Sequence, residues 1–404
     1  MRLVLSDSIK CREYGLADTL DKLREILSSW KTPVIVVDRD NRVVGNEEYC
    51  YALKILGVKY IPVALEGESN KSASVLLDVL NPFYELEENI RKPRVYENTI
   101  ELLYRGFPTP LVKLKYPGIK GVTVWAKLEW YNPFSLSVKD RIAWYMLKHA
   151  MEKGLTGKVL YEATSTNTGL ALAGISNYYG FKTRLYLPVT MQKCIDVLFN
   201  ALGAEVVRKG VSITVEMIDD VKRDAERDGA INLNQFENDY NFYVHLRYTA
   251  KEIDYQSRTA GFIPDAIIAG IGTSGHLSAI AFYFKNKYGN GIRIYAVQPK
   301  QGSIIPGIRR VETGMKWIKH VSIDKIINVS LEEAVEGVIG VARSDGLLIG
   351  LSAGAVAYAL RKVVEEEGLS GNIVAVFPDH GTKYMEILEG VLSKACPQPL
   401  ESEQ

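Results

Sequence analysis

Beyond residue 120 the chain alternates short, mainly apolar runs with longer stretches whose apolar residues recur at helical spacing. Short runs that are apolar on both faces are typical of strands buried in a parallel sheet. The predicted strands are residues 122–127, 159–161, 184–187, 266–269, 294–297 and 373–377. Helical patterns over 138–153 and 168–179 lie between them. The alternation predicts an α/β architecture built from open parallel sheets.

The N-terminal part of the chain carries a shorter and separate pattern. Its predicted elements are a helix over 16–30, a strand over 34–37, a helix from near Asn46 to Gly57 and a strand over 60–63. We therefore expect a small N-terminal α/β domain at 1–95, a main region at 96–395 and a polar tail at 396–404.

Length and charge narrow the class of protein. A chain of 404 residues is too long for one ordinary domain, and its formal net charge of +1 creates no overall field for nucleic acid or an anionic membrane. No apolar run approaches the ~20 residues of a membrane-spanning helix, and the N-terminus lacks a signal-peptide core. We expect a cytoplasmic protein that acts on small molecules, with no nucleic-acid or membrane partner.

The cysteines and histidines give little support to a disulfide or a metal site. The four cysteines are scattered without a Cys-x-x-Cys pair, at Cys11, Cys50, Cys194 and Cys396. This spacing argues against a disulfide framework and a structural zinc site, and favours free thiols in a reducing compartment. The five histidines are also scattered, so no metal is expected.

One loop carries a lysine suited to covalent chemistry. Residues 132–141 read Asn-Pro-Phe-Ser-Leu-Ser-Val-Lys-Asp-Arg and lead into a predicted helix. Ser137 is a good N-cap, which places Lys139 in the first helical turn, where the helix dipole disfavours a cation. A lowered amine pKa would supply the neutral amine that a Schiff base requires. The alternative is a surface lysine paired with Asp140.

Two further loops between a strand and a helix suit anionic groups. Hydroxyls, an amide and free backbone N–H groups at a helix start can hold a carboxylate, and this loop contains Thr164, Ser165, Thr166, Asn167 and Thr168. Glycines that expose successive N–H groups can hold a phosphate, and the second loop reads Gly272, Thr273, Ser274, Gly275 and His276. The alternative for the first loop is an ordinary capped helix start, and the alternative for the second is a simple glycine turn.

A fourth loop, 350–355, places Ser352 before another helix. Together, these segments and Thr109-Pro110-Leu111-Val112 resemble the pyridoxal 5′-phosphate (PLP)-dependent β-replacement family, which includes cysteine synthases and cystathionine β-synthases. The resemblance covers about residues 100–390. It implies the tryptophan synthase β-like fold, with two open twisted α/β subdomains, and a homodimer.

The resemblance also assigns roles to individual residues. Lys139 would form the Schiff base with PLP, Asn167 would contact the cofactor's 3′-oxygen, and the loop 272–276 would hold its phosphate. Ser352 would contact the pyridine nitrogen, where a neutral hydroxyl favours β-elimination over transamination. The loop 164–168 and Gln235 would hold the substrate carboxylate.

The sequence departs from the family pattern at a few of these positions. One extra residue separates Asn-Pro from Lys139, and Thr166 and Ser274 replace glycines. His276 replaces a threonine. The substitution at Thr166 indicates a stiffer loop or a different substrate shape.

A pair of arginines bears on the leaving group. The segment Gly-Ile-Arg-Arg-Val-Glu-Thr-Gly-Met at 307–315 resembles archaeal-type O-phosphoserine sulfhydrylases. That resemblance implies that Arg309 holds the substrate phosphate, with Arg310 as the weaker candidate and a solvated surface pair as the alternative. The expected reaction is replacement of the phosphate of O-phospho-L-serine by sulfide, through an α-aminoacrylate, to give L-cysteine.

Other functions stay open at this point. O-acetylserine sulfhydrylase, cystathionine β-synthase and Thr/Ser dehydratase activities share nearly all of these motifs. A non-catalytic binding or regulatory protein on the same scaffold is the alternative of another class. The N-terminal domain resembles the ParB/sulfiredoxin-like fold, but Glu47 and Glu48 would repel a nucleotide phosphate. We expect a non-catalytic domain that packs on the main region or covers its entrance.

Overall fold

The computed structural model describes residues 2–67, 74–76, 84–155 and 159–392, so the predicted tail at 396–404 lies outside the described residues. The N-terminal strands are β1 (Arg2–Leu5), β2 (Lys31–Pro33), β3 (Ile35–Val37), β4 (Val43–Gly45), β5 (Tyr60–Leu65) and β6 (Ser74–Leu76). The helices up to residue 104 are α1 (Leu16–Ser29), α2 (Glu47–Ile55), α3 (Tyr84–Arg91) and α4 (Glu101–Tyr104). No described helix is long and apolar enough to cross a bilayer.

A mixed sheet in the order β1-β5-β3-β4 forms the N-terminal unit, and β2 pairs separately with β6. The helix predicted over 16–30 ends one residue earlier, because Trp30 adopts the left-handed conformation with φ 52°. Helix α2 packs against β3 and β4 of this sheet, and α1 packs against α2 and β2.

Cys11 and Cys50 form a disulfide, so the prediction of free thiols is wrong for this pair. The two Cα atoms lie 5.9 Å apart although 39 positions separate the residues. Sequence spacing could not show this, because the contact depends on how the segment before α1 folds back on α2. Cys194 is free and exposed.

The disulfide should stabilise the N-terminal unit. Closing a loop of this length removes unfolded-state entropy worth about 3–4 kcal/mol. Cys11→Ser should therefore lower the melting temperature of the oxidised protein, and Cys194→Ser, which removes the free thiol, should not. Equal melting temperatures, with the two thiols titrating as free in the wild type, would disprove the pairing.

Two parallel-stranded sheets organise the rest of the chain. Its strands are β7 (Leu111–Leu114), β8 (Val122–Leu128), β9 (Val159–Ala163), β10 (Lys182–Pro188), β11 (Glu205–Lys209), β12 (Ile231–Asn232), β13 (Ala266–Gly270), β14 (Arg293–Pro299), β15 (Lys325–Val329) and β16 (Gly371–Phe377). One sheet has the order β15-β14-β13-β16-β8-β7 and the other the order β11-β10-β9-β12. Among the strands described in these two sheets, β7 is the one that pairs antiparallel, at an edge of the larger sheet. The predicted pair of open α/β subdomains is confirmed.

Helices cover both sheets and place loops at the carboxyl ends of the strands. They are α5 (Lys139–Glu152), α6 (Thr166–Tyr178), α7 (Asp196–Ala201), α8 (Ile218–Asp228), α9 (Tyr240–Val244), a π-helical turn (His245–Ala250), α10 (Lys251–Thr259), α11 (Gly275–Tyr288), α12 (Leu331–Asp345), α13 (Leu351–Glu367) and α14 (Met385–Leu392). The buried apolar residues of the strands separate into a core on each face of the larger sheet. In such folds ligands collect at the carboxyl edge.

The N-terminal unit packs on the helical side of the main region. Helix α1 lies against α11, and Arg24 stacks its guanidinium over the ring of Phe282 at 5.4 Å. Lys251 donates to the carbonyl of Leu56 at 2.9 Å, and the apolar core continues from the unit into α5 and α11. None of the unit's described residues lines the cleft at the sheet edges.

Candidate active site

A cleft that is open to solvent, with a volume of about 1020 Å³ including that open space, lies between the carboxyl edges of the two sheets. Its walls come from the start of α5, the loop before α6, the loop before α11 and the segment 304–309. The predicted site residues that line it are Lys139, Ser165, Thr166, Asn167, Thr168, Gln235, Gly272, Thr273 and Arg309. Lys139 and Arg309, which are 170 positions apart in the sequence, thus line one cavity. This agrees with their predicted places in loops at the carboxyl ends of strands.

Lys139 is the first residue of α5, and its backbone N–H donates to the Ser137 hydroxyl at 3.1 Å. Asp140 is buried and accepts the backbone N–H groups of Phe134 (2.6 Å) and Ser135 (2.9 Å). The alternative of a surface pair between Lys139 and Asp140 therefore does not describe the structure. Burial lowers the pKa of the Lys139 amine to about 8, and Asp379 partly opposes that shift.

The lowered pKa gives a measurable pH dependence. Only the neutral amine attacks an aldehyde, so its fraction grows as pH rises through about 8, whereas an ordinary lysine needs about 10.4. We expect the rate at which cofactor-free protein captures PLP to rise with a midpoint near that lower value. A profile that keeps rising to the pH range of free lysine would contradict the assignment.

A buried ionic cluster lies beneath the lysine loop and was not predicted from the sequence. Arg141, two residues after Lys139, pairs with Glu129 (2.7 Å) and Glu252 (2.6 Å). Lys127 completes the charge balance by binding Glu252 at 2.7 Å. All four side chains are fully buried, so removal of one partner would leave an uncompensated charge. The cluster fixes the start of α5 against β8 and α10.

The loop before α6 brings four of its five predicted residues to the cleft. Thr164 is the exception: it is fully buried, its hydroxyl donates to the Ser165 carbonyl at 2.9 Å, and it does not line the cavity. The Thr168 hydroxyl donates to Gln235 Oε1 at 2.8 Å. This hydrogen bond links two of the residues predicted to bind the substrate carboxylate.

A buried carboxyl group fixes the backbone of Gln235 by hydrogen bonding. Glu162 accepts the backbone N–H groups of Asn234 and Gln235, each at 2.9 Å. Burial raises the pKa of Glu162 to about 7, although both backbone hydrogen bonds oppose the shift. The sequence did not single out Glu162, because it lies within β9 and resembles an ordinary polar position of a strand.

The loop 272–276 has the shape of an anion cradle. A Cβ on Gly272 would lie 2.6 Å from the Gly307 carbonyl oxygen, and one on Gly275 would lie 2.4 Å from Asn241 Oδ1, so neither position tolerates a side chain. Ser274 adopts φ 76° at the N-terminus of α11, the conformation that explains the family's glycine there.

His276 faces a small extension of this cavity beside Lys139. Its Nε2 atom is buried without a hydrogen-bond partner among the described residues, and burial lowers its pKa to about 3. A neutral imidazole, glycine N–H groups and Thr273 form a donor set that fits the phosphate of PLP.

Ser352 and Gly275 complete the predicted set without lining the main cleft. Ser352 is buried in the first turn of α13, and its hydroxyl would lie 3.5 Å from a Cβ built on Gly307. Gly307, with φ 91°, lines both cavities. Ser352 therefore lies next to Gly307, on the side of that glycine away from the two cavities.

The two adjacent arginines have different surroundings. Arg309 lines the cleft, donates to the Gly272 carbonyl (2.8 Å) and the Thr313 hydroxyl (2.7 Å), and lies 5.2 Å from the Phe236 ring. No carboxylate of the described residues lies within salt-bridge distance of it. Burial lowers its pKa to about 10, so it stays charged near neutral pH. Arg310 instead pairs with Glu312 at 2.7 Å.

A further cluster at the site escaped sequence analysis. Asp379, Lys383 and Tyr384 follow β16, and Tyr384 lines the cleft beside Lys139. Asn167 bonds to this cluster through both ends of its amide. The rule that loops after parallel strands form ligand sites could have identified this segment, since Pro378 and Asp379 directly follow a predicted strand.

Comparisons with known proteins agree with this geometry. The family profile described as "Pyridoxal-phosphate dependent enzyme" matches residues 102–379. Cysteine synthase of Staphylococcus aureus (strain N315) is 34% identical over 290 residues, covering 69% of this chain and 92% of that protein. Cysteine synthase B of Escherichia coli (strain K12) is 35% identical over 284 residues, covering 69% and 91%.

Solved structures show the same fold. The crystal structure of O-ureido-L-serine synthase superposes with a TM-score of 0.64 at 26% identity, covering 71% of this chain and 94% of that one. The fold and site thus define a PLP-dependent enzyme of the tryptophan synthase β-like type. Within that class, the chain belongs to the cysteine synthase family.

Proposed function

We propose that this enzyme replaces the phosphate of O-phospho-L-serine with sulfide to give L-cysteine. The observation that carries the proposal is Arg309: a charged guanidinium lines the cleft without a carboxylate partner among the described residues. A phosphate leaving group needs such a partner, because its charge must be stabilised as the bond to the β-carbon breaks.

The other cleft residues suit the remaining tasks. Lys139 would bind the aldehyde of PLP, and Asn167, the loop 272–276 and Ser352 would hold its ring and phosphate. PLP, when bound, supplies an electron sink for the charge that develops at the substrate's α-carbon. Ser165, Thr166, Thr168 and Gln235 orient the substrate carboxylate, which directs the α-proton toward the Lys139 amine. Lys139 then acts as the general base and later returns the proton.

O-acetylserine is the second candidate substrate, and one observation favours it. Arg309 already donates to Gly272 and to Thr313, so part of its hydrogen-bonding capacity is used within the protein. An acetyl ester is neutral and makes no demand on that guanidinium. The relatives' shared name, cysteine synthase, fits both substrates equally.

Product analysis tests the proposal. Purified holoenzyme incubated with O-phospho-L-serine and sulfide should release L-cysteine and inorganic phosphate in equal amounts. Phosphate release accompanied by pyruvate instead of cysteine would identify a lyase. Cysteine formed from O-acetylserine alone would identify the second candidate and refute phosphoserine as the substrate.

The wider setting of the enzyme is also part of the proposal. We propose a cytoplasmic homodimer in which the N-terminal domain at 1–95 has no chemistry of its own. The family resemblance supports the dimer. The described residues of the domain pack on α10 and α11, and none of them lines the cleft, which supports the last point. Analytical ultracentrifugation of the holoenzyme would test the dimer.

A further inference from the structure

The Lys383 ammonium lies where three segments of the active site meet. It donates to the carbonyls of Ser135 (2.8 Å) and Leu136 (3.3 Å), in the loop that carries Lys139. It also bonds to Asn167 Oδ1. The side chain is only 7% exposed, although the lysine belongs to a segment near the surface. A charge at this depth needs partners, and Asp379 Oδ2 lies 3.5 Å away.

Asp379 holds the opposite end of the same amide. It is fully buried, and its Oδ2 atom accepts the Asn167 Nδ2 group at 2.8 Å as well as the Tyr384 hydroxyl. The Asn167 oxygen thus faces a cation and its nitrogen faces an anion. Rotation of the amide by half a turn would place its N–H donors against the Lys383 ammonium and its oxygen against the Asp379 carboxylate. Only one orientation is therefore stable.

This orientation decides what Asn167 presents to the cleft. The amide nitrogen has two hydrogens, and Asp379 takes one of them. The second hydrogen is not taken by Asp379, and it lies within reach of the Tyr384 hydroxyl, which lines the same cleft as Asn167. If the amide rotated freely, its oxygen would face the cleft part of the time and would repel an anionic oxygen of the bound cofactor.

The same ammonium supports an unusual backbone turn. Leu136 adopts φ 49°, in the left-handed region, which costs a non-glycine residue of this size free energy. Lys383 binds the carbonyl of Leu136 and that of the preceding residue, three and four positions before Lys139. The turn and the amide are therefore tied to one side chain.

We propose that Lys383 is a positioning residue. It fixes the orientation of the Asn167 amide toward the cofactor, and it holds the loop that carries Lys139 in place beside that amide. This inference rests on the roles of Lys139 and Asn167 in the proposed function. The ammonium also acts on Lys139 through space: it lowers the pKa of that amine, whereas Asp379 raises it.

The test compares Lys383→Met, which removes the charge and its hydrogen bonds, with Lys383→Arg, which keeps a cation and several donors. In Lys383→Met we expect PLP to bind about 10-fold more weakly, the loss of roughly one charge-assisted hydrogen bond. We also expect the pH midpoint of PLP capture to rise and the visible spectrum of the bound cofactor to change. Lys383→Arg should recover most of all three effects, and Lys182→Met, which removes an exposed lysine, should match the wild type.

These readouts do not depend on the substrate, so they separate this inference from the proposed function. Wild-type PLP affinity, spectrum and capture profile in a folded Lys383→Met protein would overturn it. Loss of affinity without any change of spectrum or midpoint, and without recovery in Lys383→Arg, would show a merely structural role and would overturn it as well. If Lys383→Met does not fold, Lys383→Gln, which keeps donors without the charge, replaces it in the same comparison.

Discussion

Lys139→Ala should lose the visible absorption of covalently bound PLP together with all turnover. The residue supplies both the bond to the cofactor and the base for the α-proton, so we expect kcat to fall by about 1000-fold or more. Among the described residues that line the cleft, Lys139 is the only lysine, and the nearby Lys383 is bound to Asn167 and to two carbonyls. Absorbance and cysteine formation measure the two losses separately.

Lys148→Ala is the matched control, because it removes an exposed lysine from the same helix. It should keep the spectrum and the rate. PLP-dependent absorption that persists unchanged in Lys139→Ala would show that another lysine holds the cofactor, and the assignment of the whole site would then be wrong.

Arg309→Ala should abolish any preference for phosphoserine. Loss of a charge-assisted contact to phosphate costs about 1.5–3 kcal/mol, so kcat/KM for O-phospho-L-serine should fall by roughly 10- to 150-fold. The value for O-acetylserine should change little, because the acetyl group carries no charge. Steady-state kinetics with both substrates measure the difference directly.

Arg310→Ala provides the control within the same segment, since this side chain pairs with Glu312 instead of facing the cleft. We expect it to leave the ratio of the two substrates unchanged. Arg309→Ala also removes the hydrogen bonds to the Gly272 carbonyl and to the Thr313 hydroxyl. A similar loss of activity on both substrates would therefore indicate a structural role for Arg309 and would contradict its role in binding phosphate.

The sequence predicted the order of elements and most of the cleft, because both follow from local pattern. Apolar runs identified the buried strands, and the loops after them carry Lys139, Asn167, Gly272 and Arg309 to one cavity. Helix boundaries shifted by one or two residues, as at Trp30, where a left-handed residue ends α1. The apolar runs do not show which strands belong to which of the two sheets, because strands that pair with each other are distant in sequence.

The features that sequence reasoning missed depend on tertiary contacts. The disulfide joins residues 39 positions apart, and the partners of Asn167 come from a segment 212–216 positions further on. Thr164 belongs to a motif of hydroxyl residues, yet its side chain turns into the core. Composition and spacing describe what each residue could do, whereas packing decides which way it faces.

The most direct test of the proposed reaction is the visible spectrum of the purified holoenzyme as O-phospho-L-serine and then sulfide are added, with O-acetylserine in parallel. We predict that phosphoserine removes the band of lysine-bound PLP, and that sulfide restores it as cysteine forms. A band that responds to O-acetylserine and ignores phosphoserine would contradict the proposed substrate. No visible band after addition of PLP would contradict the active site itself.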